Sequence, residues 1–397
     1  MSSDKPRAIA SDKPRVIESA IVRTAIASIA LLAIGACANG LPKPKPAKLE
    51  GVNTVQAAEL EWSASVGESS ARDAVKLSPF VTEDNVFTVD AKGRISAFDV
   101  ASGEVNWTSN LSRNVTAGVS GDEDNLYVAT ANGEVFAISQ AHGGTIWTSN
   151  VSSEVIAAPV AGSDYVVVRS IDGKVYALEK GTGERRWLYT YNVPALSIHG
   201  NGRPVVVADG VLVGLDNGRL VALREADGRV FWDVGLGGSE GRSEVEKLND
   251  LDADIKILDP YIYAVNYQGK LAQIDPVQGQ LTWSSDVSSV AGLEVTPTLV
   301  FVTDEFDTVH AYRRETGELQ WSQDKLSNRD LTSPVVYESG SVIVGDLDGF
   351  LHILSVEDGE IIGRVKTGIG AIAAQPVLQG NMVYVQGRTG KVAAVKL

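Results

Sequence analysis

The stretch "IDGKVYALEKGTGERRW", residues 171–187, carries a Gly at 173, an Ala at 177, a second Gly at 183 and a Trp at 187. The same spacing returns from Gly93 to Trp107, Gly133 to Trp147, Gly218 to Trp232 and Gly269 to Trp283. Two further copies are degenerate: Asp307 to Trp321 lacks the first Gly, and Gly349 to Gly363 lacks the Trp. In all seven the second Gly stands ten residues after the first position, at 103, 143, 183, 228, 279, 317 and 359. An eighth copy opens at Gly390 and reaches Leu397 without its second half. That half has a counterpart at the other end, where AELEW, residues 58–62, ends in Trp62 with no first half before it. All seven tryptophans thus occupy one repeat position. A closed ring, with one unit built from both chain ends, accounts for the spare pieces.

Each unit reads as four short strands. In the third, Ala157–Ala161 starts with Pro159 nearby, Tyr165–Arg169 is rich in β-branched residues, and Lys174–Glu179 and Arg185–Leu188 follow the Gly173 and Gly183 turns. Proline is tolerated at a strand start, where its missing N–H need not join the ladder. The glycines fall where tight turns need positive φ. Four strands per about 40–45 residues is the arithmetic of a β-propeller blade. The expected fold is therefore all-β: an eight-bladed β-propeller, four antiparallel strands per blade, closed by pairing of the N- and C-terminal strands. Alanine recurs four residues after the first Gly, at 97, 137, 177, 222, 311 and 394, with Gln273 and Ile353 as exceptions. A small residue there is expected to let neighbouring blades approach. The tryptophans are expected to cover the blade junctions, since one per blade is too many for a ligand cage.

The chain of 397 residues has a formal net charge of −15, which argues against nucleic-acid binding, because phosphate contacts need clustered Lys and Arg. The one cysteine is Cys37, so cysteine usage says nothing of redox compartment. TAIASIALLAIGA, residues 24–36, follows Arg23 and has the length of a signal-peptide apolar region. Ile34-Gly35-Ala36 before Cys37 resembles the bacterial lipobox, which implies cleavage before Cys37 and lipid attachment to it. Position 38 is Ala, where an Asp would resemble an inner-membrane retention signal, so the outer membrane is the expected address. LPKPKPAK, residues 41–48, resists helix and sheet and reads as an extended tether. The domain reading is residues 1–36 as signal peptide, 37–55 as lipidated cysteine and tether, and 56–397 as propeller.

The pattern G-x-x-x-A…G-E-x-x-W looks like the repeat of pyrroloquinoline-quinone enzymes rather than the WD40 repeat. Those enzymes carry a vicinal disulfide, impossible with one Cys, and need a Ca²⁺ site. The lipobox, the tether and eight such repeats together resemble the BamB family, lipoprotein subunits of the outer-membrane β-barrel assembly machinery (BAM). NVPALSIHGNGRP (192–204) and GSEGRSEVEKLNDLDADI (238–255) are similar to two segments of that family. The resemblance implies that they bind the periplasmic POTRA domains of BamA, with Leu196, Ile198 and His199 on the first segment and Asp250 and Asp252 on the second. His199 departs from the Arg often found there in the family. The resemblance also implies a non-enzymatic scaffold without cofactor or metal, on the periplasmic side of the outer membrane, next to other BAM subunits and with unfolded outer-membrane proteins as candidates for strand addition to blade edges.

The residues alone say less. The unit from Trp232 to Trp283 is the longest, and its excess, Gly235–Asp254, is polar and acidic. Propeller insertions map to loops on one face, often the binding face. Leu196 and Ile198 either anchor a partner from such a loop or belong to a blade core. Asp250 and Asp252 either contact a partner or are solvated loop charges. A propeller with another protein partner or a glycan ligand remains open. His142, His199, His310 and His352 are scattered, and Asp346-Leu347-Asp348-Gly349 lacks a calcium-loop ligand series. Gly235–Gly241 lacks G-K-[ST], and no Ser/His/Asp arrangement stands out.

Overall fold

Eight four-stranded antiparallel sheets follow one another along the chain, at residues 80–110, 120–150, 160–190, 205–235, 256–286, 292–323, 335–366 and 377–396. The eighth has only three strands of its own, and Glu59–Ser65 supplies the fourth by pairing with Lys391–Lys396. The computed structural model describes residues 1, 44–68, 75–198, 200–237, 248–251, 253–337 and 340–397. The chain divides into two compact units, Met1–Lys45 and Pro46–Leu397, and the ring lies in the second. The expected signal peptide and Cys37 lie outside the described residues, as do His199 and Asp252.

The first strand of each blade is short and innermost; Phe80–Val81, for example, touches Val377–Gln379 of the eighth blade across the ring closure. The second and third strands are buried on both faces by the flanking blades, which is why Tyr165–Ser170 and Lys174–Glu179 read as continuous apolar runs. The outermost strand, such as Arg185–Thr190, alternates exposed and buried. The innermost strand of the third blade is Val160–Ala161, shorter than the expected Ala157–Ala161, because Pro159 has no N–H to give the ladder.

The Gly and Trp positions form one interlock. The indole N–H of Trp147 donates to Lys180 O at 2.8 Å, and that of Trp187 to Glu225 O at 2.6 Å, each reaching into the next blade. A Cβ on Gly183 would lie 2.5 Å from the Trp147 ring, and Gly183 has φ +74. Only glycine satisfies both the turn and the seat. The same Trp-on-Gly contact links Trp62 to Gly103, Trp107 to Gly143, Trp187 to Gly228, Trp232 to Gly279, Trp283 to Gly317 and Trp321 to Gly359. The recurrent alanine sits beside this interlock. Ala177 is paired with Trp187 of its own blade and packs with Val211, Val213, Val221 and Leu223 of the fourth blade, so it lies at the meeting of two blades. Trp107, Trp232, Trp283 and Trp321 are half-buried, while Trp62, Trp147 and Trp187 are buried.

Both degenerate repeats have a local cause. Asp307 holds φ +64 without being Gly, and its carboxylate accepts Asp330 N at 2.7 Å and Leu331 N at 2.8 Å. Aspartate is one of the few residues besides glycine that visit the left-handed region. Gly363 replaces Trp because the entering chain passes over it: a Cβ there would lie 2.4 Å from Gln56 O.

Candidate functional site

Each blade's outermost strand returns to the next innermost strand on the side of the ring that carries the turns between second and third strands. Backbone bonds tie the returns to those turns, as in Val151 N to Gly133 O, Tyr191 N to Gly173 O and Leu236 N to Gly218 O. The two singled-out segments are neighbouring returns, from blade three to four and from four to five.

The structure brings them together. Ser197 Oγ donates to Asp250 Oδ2 at 2.6 Å and Ile198 N donates to the same oxygen at 2.5 Å. Arg203 and Asp254 make a second tie: Arg203 N to Oδ1 at 2.8 Å, Nε to Oδ2 at 2.9 Å and Nη2 to Oδ2 at 2.6 Å. Burial would raise the Asp254 carboxyl, but the Arg203 guanidinium outweighs it and holds Asp254 below the usual carboxylate range. The second segment is fixed by Leu251, buried over Gly214 with its N–H on Leu215 O at 3.1 Å, and by Asn266, whose amide donates to Asn249 O at 3.2 Å.

Asp250 is 1% exposed, so it is no solvated loop charge. Burial pushes its carboxyl above the ordinary value, and its hydrogen bonds to Ser197 and Ile198 offset only part of that. Beneath it Arg169 pairs with Asp216, and Tyr191 donates to Asp216 Oδ2 at 2.9 Å. Leu196 and Ile198 are 46% and 40% exposed, which places both outside the blade core. The surface therefore presents two apolar side chains on a loop held from below by a buried carboxylate. Sequence reasoning missed the Arg169–Tyr191–Asp216 support, because its members come from three separate stretches of chain.

The same side of the ring opens on a central cavity of about 120 Å³, lined by Lys76, Asn201, Arg203, Asp254, Ser333 and Gln375 among others. Pockets for drug-sized molecules run to about 300–1,000 Å³, so this one is smaller than such a pocket. Among the described residues no group of three or more His, Cys, Asp or Glu is placed to hold a metal ion. Asp346 is a turn residue: its Oδ1 accepts Asp348 N and Phe350 N, both at 2.9 Å. Asp90 and Asp304 do the same in their repeats.

A family model described as outer membrane protein assembly factor BamB matches residues 52–112, 91–323 and 306–396. The chain is 45% identical over 375 residues to the BamB of Alkalilimnicola ehrlichii, covering 94% of this chain and 97% of that protein. It is 39% identical over 370 residues to the BamB of Pseudomonas aeruginosa, covering 93% and 97%. The crystal structure of BamB from Moraxella catarrhalis superposes with a TM-score of 0.79 at 28% identity, covering 86% of this chain and all of that one. The quinohemoprotein alcohol dehydrogenase of Comamonas testosteroni superposes with a TM-score of 0.71 at 15% identity, covering 88% and 78%, a likeness of fold alone.

Proposed function

The chain belongs to the BamB family of outer membrane protein assembly factors, subunits of the BAM complex, and from that membership we propose a division of labour within it. The protein is a non-enzymatic scaffold whose paired loops bind the POTRA domains of BamA. Leu196 and Ile198 are the apolar anchors, Asp250 positions them, and His199 and Asp252 are further partner-binding residues. Cys37 carries the lipid that holds the ring on the periplasmic side of the outer membrane. The observation that carries this reading is the bonding of Ser197 and Ile198 to Asp250, which fixes two exposed apolar side chains on a rigid support. A few well-packed residues carry most of the binding energy of an interface. The small cavity supports a binding protein over a quinone-dependent dehydrogenase.

The test is a pull-down of the periplasmic domains of BamA with the native protein and with Leu196→Glu/Ile198→Glu. The double variant should lose binding while its thermal midpoint stays within a degree or two. Native-like capture by the folded variant would overturn the assignment of the anchors. Outermost strands also carry exposed apolar residues, including Val105, Ile146, Val230 and Phe231, and these edges are proposed to receive unfolded outer-membrane proteins by strand addition. Photocrosslinkers at these positions that capture no unfolded porin would remove that second role.

A further inference from the structure

The proline-rich segment reads as a free tether, but its second half is bound to the seventh blade. Ala47 N donates to Ser327 O at 2.9 Å, and Arg329 Nη1 donates to Ala47 O at 2.9 Å. Leu49 packs on the apolar cluster that includes Trp321, Leu326 and Ile361. Arg364 Nη1 donates to Glu50 O at 2.8 Å, and Val55 N and Gln56 N both donate to Ile362 O, at 2.8 and 3.1 Å. The arginines are themselves braced. Arg329 bonds Asp346 at 2.8 Å and Asp348 at 2.5 Å, while Arg364 Nε donates to His352 Nδ1 at 3.0 Å. His352 Nε2 in turn lies 2.9 Å from Asp346 Oδ2. This is the blade whose outermost strand has Gly363 in place of Trp.

We propose that the seventh blade carries a receptor site for an extended peptide, filled by residues 47–56 of the same chain, and that this strap orients the ring on its lipid anchor. The proposal rests on the reading of Cys37 as the lipidated residue. Ser327 and Arg329 lie on a return between blades, so the strap begins on the side of the ring that carries Leu196 and Ile198. With the strap seated, the chain separating Cys37 from Pro46 is about ten residues and can reach no more than about 30 Å at about 3.1 Å per residue. With the strap released, it would run to Glu59, about 20 residues and about 65 Å by the same rise. The seated strap halves the leash and points the loop surface at the membrane, where a barrel-assembling partner would be met.

The test uses the full lipidated chain in vesicles, with attachment at Cys37 checked by mass spectrometry. A donor dye is placed at Phe306→Cys, an exposed turn on the loop side, or at Val277→Cys, an exposed turn on the opposite side. Energy transfer to a lipid-borne acceptor should be at least twofold more efficient from the Phe306→Cys protein. Amide exchange at Ala47, Val55 and Gln56 should be at least tenfold slower than in a free peptide. Arg329→Ala/Arg364→Ala should abolish both effects, and Gly363→Val, which pries at Gln56 O without touching the arginines, should do so in a ring that stays folded. Native exchange at free-peptide rates would overturn the strap. Equal transfer from the two dyes with a protected strap would overturn its orienting role. Absence of lipid on Cys37 would sink the anchor reading, and the exchange arm would still decide the strap.

Discussion

Replacing Gly183 with Ala measures the interlock that repeats around the ring. At φ +74 an L-residue costs about 1–2 kcal/mol in the left-handed region. The new Cβ would also lie 2.5 Å from the Trp147 ring, packed between blades with no flexible end to move. Such overpacking adds about 1–3 kcal/mol. The total expected for Gly183→Ala is about 2–5 kcal/mol. Gly380 is the control: its φ is +58 and nothing lies within 4 Å of a Cβ there, so Gly380→Ala should cost only the backbone term. Urea unfolding of both variants, each also in a Trp147→Leu background, separates the two contributions. The cost of Gly183→Ala should fall toward that of Gly380→Ala once Trp147 is shortened, a coupling of about 1–3 kcal/mol. Equal destabilisation at the two glycines, with no coupling to Trp147, would refute the interlock.

Asp250→Asn keeps the oxygen that accepts Ser197 and Ile198 and replaces the other carboxylate oxygen, which has no hydrogen-bond partner among the described residues, so affinity for the periplasmic domains of BamA should stay within twofold of native by calorimetry. Asp250→Ala removes the tie and should lose binding at least tenfold; loss by both variants alike would mean that the partner reads the charge. Asp307→Ala removes the carboxylate that accepts two backbone N–H groups and keeps φ +64 for an alanine, so it should cost about 2–4 kcal/mol, and Asp307→Gly should cost about 1–2 kcal/mol less, as read from urea midpoints. Burial holds His352 below its ordinary value of 6.5, and its bond to Asp346 only partly offsets this. The unfolded chain therefore binds the proton more readily, and the stability contributed is full above about pH 6.5 and is lost as pH falls toward the folded value. The thermal midpoint should fall more between pH 7 and 5 for the native protein than for His352→Gln; parallel pH profiles would contradict it.

The ring was legible because its determinants are local and repeated. Gly183 and Trp187 announce a turn and an outer strand within a few residues, and Trp62 without a first half announces the closure. What was not legible depends on residues far apart in the chain. That Ala177 pairs across the strands with Trp187 is a register that spacing alone does not give. LPKPKPAK reads as a tether because the partner of its Ala47, Arg329, lies 282 residues on. Asp250 sits in an acidic stretch whose residues alone leave a partner contact and a solvated charge open, and its burial follows from the packing of Leu251 on blade four and from the neighbouring loop folding over it. The pairing of the two loops was implied by family resemblance, and the chemistry that joins them came only with the fold.

The most direct test of the central claim is hydrogen–deuterium exchange of the full chain with and without the periplasmic domains of BamA. The account predicts new protection at residues 193–198 and 248–251, with none at the turn around Val277 on the other side of the ring. Protection confined to the outer strands or to that opposite side, with the paired loops unchanged, would contradict it.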